Sequence, residues 1–363
     1  MRAVLAGLLA LLAVPLAAQN DPYQVLRSPG EGYAEVRPGR AFGFPVDHLA
    51  HPDYRIEWWY LTANLKDAAG RDWGVQWTLF RQSLSPAADL AGWDSNQMWM
   101  AHAAVTTPAG HRHAQRFARG GIGQAGVGIE AGRFAAWLDD WAWIGAGDLP
   151  VPGDLRFSVG EAQIDLQLAG DGAPVLQGEG GYSRKSALGQ ASHYYSQPQV
   201  SVSGSVTLDG VATPLAGSGW LDREWSSQPL ADTQQGWDWF ALHLADGHKL
   251  MIYRLRHADG QHWRSGSWVA PDGTARTLTA DEIELTVLDT RRVRTPTPAD
   301  PAASRQLPLR WRIRLPALAR EWTVDALIDD QWLGGRFPYW EGVVRVDGGR
   351  GGMGYMELTG YPP

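Results

Sequence analysis

The chain has no cysteine among its 363 residues. Disulfides, thiolate nucleophiles and Cys-ligated zinc are therefore excluded, and so is a lipid anchor carried on a cysteine behind a leader. Lysine is scarce: Lys66, Lys185 and Lys249 are all there are. With a net charge of −7 the chain lacks the basic surface that a nucleic-acid partner needs. No phosphate-binding glycine loop stands between a strand and a helix. Gly121 to Gly128 has the glycines but no helical pattern behind it. There is no G-x-S-x-G elbow either. The commonest nucleotide enzymes and serine hydrolases thus find no support.

Tryptophan is what the chain has in excess. The 19 copies are several-fold more than an average composition gives. Such rings either fill wide β cores or line a site for a flat, apolar ligand. They crowd most densely between Gly217 and Phe240, where Trp220, Trp225, Trp237 and Trp239 mix with Asp222, Glu224 and Asp238. Half of this stretch recurs near the C-terminus. Gly217 to Asp222 matches Gly352 to Glu357 as glycine, any residue, glycine, aromatic, aliphatic, acidic. Upstream, Gly204 to Gly210 matches Gly342 to Gly348, and each reads as a strand running into an Asp-Gly turn. A repeat at this spacing predicts two similar β units in tandem, joined just after Asp222.

Along the chain, Met1-Arg2 and the apolar run to Ala18 form a secretory leader pattern. The expectation is a signal peptide over 1–19 and a periplasmic or secreted mature protein, with an uncleaved N-terminal anchor as the alternative. His48 and His51 follow, with Asp47, Asp53 and Glu57 close by. A metal site would need these groups to converge, but Pro52 breaks any helix that would align them, so local hydrogen bonding is the favoured reading. Strands are expected from Glu57, over Trp73–Arg81 and over Met98–Thr107, with a hairpin over Leu155–Leu168 and a turn at Asp171-Gly172. Gly178 to Gln199 is polar and glycine-rich and reads as a long loop carrying His193, Tyr194 and Tyr195 to a site. In the second unit, strands are expected at Trp239–Leu244, Lys249–Arg256, Trp263–Val269, Arg310–Leu315 and Glu321–Leu327. Arg291 to Gln306 reads as a mobile loop. Many short strands with turn signals favour barrels or sandwiches.

Alternation along a strand places Trp220 and Asp222 on one face. If the segment around His193 is extended, His193 and Tyr195 also share a face. Should both faces point into one pocket, it would hold an acid, an imidazole and two rings. A carboxyl in apolar surroundings keeps its proton near neutrality and can protonate a C=C bond. Ring faces stabilise the resulting cation, and an imidazole can act as base toward water. The structural alternative is that Asp222 caps a turn or pairs with Arg223 and the rings are core.

Five stretches together resemble the AttH/carotenoid 1,2-hydratase (hydroxyneurosporene synthase) family of lipocalin-like proteins. They are PVDHLAHPDYRIEWWY (45–60), GYSRKSALGQASHYYS (181–196), GSGWLDREWSSQPL (217–230), GWDWFALHLADGHKLMIYRLR (236–256) and YWEGVVRVDGGRGGMGYMELTGY (339–361). The resemblance implies an all-β chain of two tandem lipocalin-like antiparallel β-barrels, drawn here as 38–226 and 227–363. It implies chemistry without a cofactor or a metal. Residue by residue, the hydratase branch implicates His193 as base, Asp222 as acid, and Tyr195 and Trp220 as cation stabilisers. The two ring types are exchanged relative to those hydratases, and the REWSS that follows Asp222 is the pattern of the broader AttH branch. Ligand-binding candidates are Trp225, Trp237, Trp239, Trp59 and Tyr194. Three readings of function follow: an exported protein that binds a lipophilic isoprenoid or lipid and transforms it by acid–base chemistry; a hydro-lyase of the carotenoid 1,2-hydratase kind; and a periplasmic accessory subunit whose partner is an inner-membrane ABC-type permease.

Overall fold

The computed structural model describes residues 23–170 and 172–362. The leader expected over 1–19 and Asp171 of the expected turn lie outside the described residues. More than half of the described residues are antiparallel strand, in two sheets. Strands between Ile56 and Ser226 make the first sheet and strands between Gln234 and Leu358 the second. In each, the last strand returns to pair with the first. Val211–Ser226 lies on Ile56–Lys66, and Gly352–Leu358 lies on Gln234–Leu244. These pairings join each sheet into one continuous curled layer, the barrel or half-barrel of a lipocalin-like fold.

The strands form because apolar residues alternate or run continuously over β-branched and aromatic positions. Ala162–Ala169 alternates buried and exposed along its whole length. Inward-facing residues fill both barrels. The first core packs Trp59, Trp77, Trp143 and Trp225; the second packs Phe240, Trp311, Trp340 and Met356. Fully burying one such side chain contributes about 1.5–3 kcal/mol. A third cluster lies outside both barrels, where their outer faces meet, and includes Tyr60, Trp220, Trp239, Val343 and Tyr355. At Gly74 the contact is so close that an added Cβ would overlap Val343 Cγ2 and the Tyr355 hydroxyl.

Two expected loops are strands. Most of the 178–199 tract is ordered β structure: Tyr182–Arg184 pairs with Ala191–Leu208, which starts before His193. Its serines read as loop residues, but several are buried and bonded. Ser196 Oγ donates to Asp222, and Ser183 Oγ lies 3.0 Å from the Tyr253 hydroxyl. Likewise Glu284–Arg294 and Ser304–Leu315 form a long hairpin. Only 295–303 remains as loop, because Arg291 is held by Asp325 and Asp329 at 2.7 and 2.8 Å. The tandem repeat is real, but its hairpins differ in length. The strand that holds Gly217 begins six residues earlier, at Val211, whereas its counterpart begins at Gly352 itself.

Candidate functional site

The site is built by alternation on the two strands of the first hairpin. On Val211–Ser226, Trp220, Asp222 and Glu224 face outward, toward the second barrel, while Leu221, Arg223 and Trp225 face inward. The register pairs Ser196 with Asp222 and Tyr194 with Glu224. Tyr194 and Ser196 therefore share the outward face. Asp222, only 3% exposed, accepts hydrogen bonds from the Tyr194 hydroxyl (2.7 Å), the Trp220 indole N–H (2.8 Å) and Ser196. Burial pushes its carboxyl up to about 7; the three donors oppose that shift without cancelling it, and the nearby Glu224 adds to it.

Glu224 is paired with Lys185 Nζ at 2.7 Å. The ammonium also sits over the rings of Tyr253 (4.3 Å) and Tyr194 (4.9 Å). Burial alone would depress Lys185, but the Glu224 carboxylate more than offsets it and raises its pKa.

The second barrel supplies a matching acid. Glu357 accepts from the Trp237 indole N–H at 2.8 Å, and burial pushes its carboxyl up to about 8. Across the strand pair stands Glu341, bonded by Tyr60. Burial, with the Glu357 charge behind it, holds Glu341 well above the usual carboxylate range. Between the two barrels lies a cavity of about 160 Å³, lined by Asp222, Glu224, Lys185 and Glu357 among apolar side chains. Trp58, Trp237, Trp239, Tyr60 and Tyr194 form much of its aromatic wall. His102 reaches the same wall, its Nδ1 2.8 Å from the Tyr339 hydroxyl, and burial depresses it to about 3, so it is a neutral imidazole.

Of the residues expected from sequence, the structure thus brings together Asp222, Trp220, Tyr194, Trp237 and Trp239. It does not bring His193, Tyr195, Trp225 or Trp59 to this place. All four point through the sheet into the first barrel, because they sit at the opposite parity on their strands. There they belong to a packed network under the barrel end. Tyr195 Oη is 2.5 Å from His48 Nδ1, and Trp225 stacks on His51 at 3.8 Å. The His193 ring lies 5.6 Å from that of Trp225 and 5.7 Å from that of Tyr54. Trp59 donates to the His48 carbonyl at 2.8 Å and carries the Arg223 guanidinium on its face at 3.9 Å. His51 bonds Asp47 and Glu57 at 3.0 and 3.2 Å, which is the local hydrogen bonding favoured for that motif. Nor does Arg223 pair with Asp222: it reaches Glu57 at 3.1 Å on the other face.

Sequence reasoning missed Lys185, Glu224, Tyr60, Tyr253 and His102 as site residues. Glu357 had a signal, its repeat match to Asp222, whose meaning emerges only when the two barrels face each other.

The comparisons with known proteins agree with this architecture. A crystallised protein of Nitrosomonas europaea, provisionally described as AttH, superposes with a TM-score of 0.76 at 34% identity; the match covers 91% of this chain and 100% of that one. Kievitone hydratase from Nectria haematococca shares the fold at 14% identity, with a TM-score of 0.61 over 90% of this chain and 97% of its own. CghA, solved with Sch210972, does so at 13% identity and a TM-score of 0.54, covering 92% and 98%. No curated protein matches the chain in sequence. The AttH-like family model matches residues 35–361, so the chain, with its two barrels and the acid-bearing cavity between them, belongs to the AttH-like family.

Proposed function

We propose that the cavity between the barrels binds the apolar end of a lipophilic small molecule and that Asp222 acts on it as a general acid, in a hydro-lyase type of reaction. The observation that carries this reading is the buried Asp222 carboxyl, held near its midpoint at neutral pH and aimed at an aromatic-walled space. A cavity of about 160 Å³ suits a ring or one isoprene-sized unit; an engineered cavity of roughly this size takes up benzene. The ligand presented there is thus a terminal group.

The proposed chemistry needs one carboxyl for both proton transfers. Protonated Asp222 gives its proton to one carbon of a C=C bond, leaving a carboxylate and a carbocation. The carboxylate is stabilised by the hydrogen bonds from Tyr194, Ser196 and Trp220. The cation is stabilised by the ring faces of the wall and by the carboxylate. A water molecule adds to the cation and returns its extra proton to Asp222. The alkene gains one water and the acid is regenerated; run backward, the same steps remove water. Asp222 replaces His193 as the base in this scheme, since His193 lies behind the sheet.

Support comes from the site's geometry and from a fold also seen in kievitone hydratase. The proposed setting is the periplasm, on the strength of the leader pattern alone, and the permease-partner reading remains a separate proposal without a specific contact behind it. The test is mass spectrometry of organic extracts from purified protein, wild type beside Asp222→Asn. A co-purifying apolar molecule that is heavier by one water on the wild type supports the hydro-lyase. The same unmodified molecule on both makes the protein a carrier, and empty protein in both removes the ligand reading.

A further inference from the structure

The cavity wall combines two features that rarely occur together without a positive charge between them. One is the ring of aromatic faces, Trp58, Trp237, Trp239, Tyr60 and Tyr194. The other is an excess of acid over base. Asp222, Glu224 and Glu357 line the cavity, and Glu341 stands across the strand pair from Glu357. Against them stand two cationic side chains. Lys185 is spent on Glu224, and Arg81 is spent on Glu57 and the carbonyls of His51 and Tyr54. The wall already displays the interaction in miniature, since the Lys185 ammonium rests on the faces of Tyr194 and Tyr253 beside a carboxylate. Among the described residues, Glu341 Oε2 is buried without a hydrogen-bond partner.

We propose that this cavity recognises apolar cations, namely tertiary or quaternary ammonium compounds with a ring-sized apolar body, more tightly than neutral or anionic molecules of the same shape. The inference rests on the reading above, in which a transient carbocation occupies the same place; an ammonium group is its stable counterpart. Binding is coupled to proton release. The incoming cation faces a neutral carboxyl, that carboxyl gives its proton to solvent, and a carboxylate–ammonium contact over aromatic faces remains. The groups that set this balance are known. Asp222 faces Tyr194 and Ser196 of one neighbouring strand, Tyr60 of the other, Trp220 and Glu224 of its own, Lys185, and Trp239 and Glu357 of the second barrel. Glu357 faces Trp237 and Trp239 on one side and Tyr339 and Glu341 on the other. Because burial leaves Asp222 and Glu357 at about 7 and about 8, one proton is surrendered easily above neutrality. Among the described residues lining the cavity, anionic head groups find no free cation, so carboxylate and phosphate lipids are disfavoured at this end.

The experiment is equilibrium dialysis of the whole chain with benzyltrimethylammonium, its uncharged isostere neopentylbenzene and the anion phenylmethanesulfonate, at pH 6 and pH 8.5. The expected result is at least tenfold preference for the cation over the isostere at pH 8.5, a preference several-fold smaller at pH 6, and no binding of the anion. In the Asp222→Asn/Glu357→Gln double variant the cation should lose its advantage while neopentylbenzene still binds, which also shows that the cavity has formed. Equal binding of cation and isostere, a preference independent of pH, or no binding at all overturns the proposal. Because the readout is affinity, hydration turnover can fail while cation binding stands, and the reverse outcome is equally distinguishable.

Discussion

Asp222 and Glu357 occupy matching positions in the two barrels and line one cavity from opposite sides. Each lies on the last strand of its sheet in chain order, and each is paired in register with an aromatic residue of that sheet's first strand, Tyr60 beside Asp222 and Trp239 beside Glu357. An ancestral single unit would carry one acid and one ring on its outer face; packing two such faces together makes a pocket with two acids. Burial then keeps Asp222 near its midpoint and Glu357 mostly protonated at neutrality, which is why like groups tolerate being so close.

The stability contributed by these two carboxyls should therefore fall as pH rises through the neutral range. The folded pKa of Asp222 is raised from 3.8 to about 7 and that of Glu357 from 4.5 to about 8. A raised folded value favours the folded state fully below the unfolded value and loses that contribution as pH climbs to the folded one. The window is about pH 4 to 8, and each unit of displacement corresponds to about 1.4 kcal/mol. As pH rises from 5 to 9, the melting temperature of wild type should fall relative to that of Glu357→Gln. Parallel curves for the two proteins would show that Glu357 does not carry the effect.

Asp222→Asn should abolish turnover on any substrate the protein acts on, with loss of 10²-fold or more, the scale for removing a general acid. The amide keeps the shape; its oxygen can still accept from Trp220 and Ser196 and its NH2 can donate to the Tyr194 hydroxyl, so melting temperature at pH 8 should be equal to wild type or higher. Steady-state kinetics and calorimetry on one preparation decide this. An unchanged rate removes Asp222 from the chemistry, and a collapse in stability instead assigns it a structural role.

How much of this was legible in the chain depends on which distance a feature spans. The repeat of glycines, aromatic and acid exposed both hairpins and so the two-barrel plan. Period-two alternation put Trp220 beside Asp222, which is a relation within one strand. The wrong assignment, His193 and Tyr195 in the same pocket, failed on register. Ser196, not Tyr195, stands opposite Asp222, and a shift of one residue sends every side chain to the other face of the sheet. Lys185, Tyr60 and His102 come from three separated segments and carry no local signal; only the docking of the barrels gathers them. Ser196 misled for a related reason, since a buried acid needs hydroxyl donors that composition reads as loop.

Tyr195→Phe tests the corrected assignment. Its hydroxyl bonds His48 inside the first barrel, not the cavity. Removing it should cost about 1 kcal/mol of stability, the net worth of a typical buried hydrogen bond, and leave cavity affinity for an apolar ligand unchanged. Urea unfolding and equilibrium dialysis give both numbers. A large loss of affinity with no loss of stability would return Tyr195 to the ligand site.

The Lys185–Glu224 pair should behave as a unit. Lys185→Met leaves Glu224 buried without its counter-charge and should destabilise by about 3–5 kcal/mol. The double variant Lys185→Met/Glu224→Gln has no stranded charge and should recover most of that loss, which chemical denaturation measures directly. The double variant removes both the Glu224 charge that raises the pKa of Asp222 and the Lys185 charge that favours its carboxylate, so burial should keep Asp222 raised. The alkaline limb of any activity profile should then stay close to its wild-type position. A large displacement of that limb would show that the ion pair, and not burial, governs the Asp222 proton.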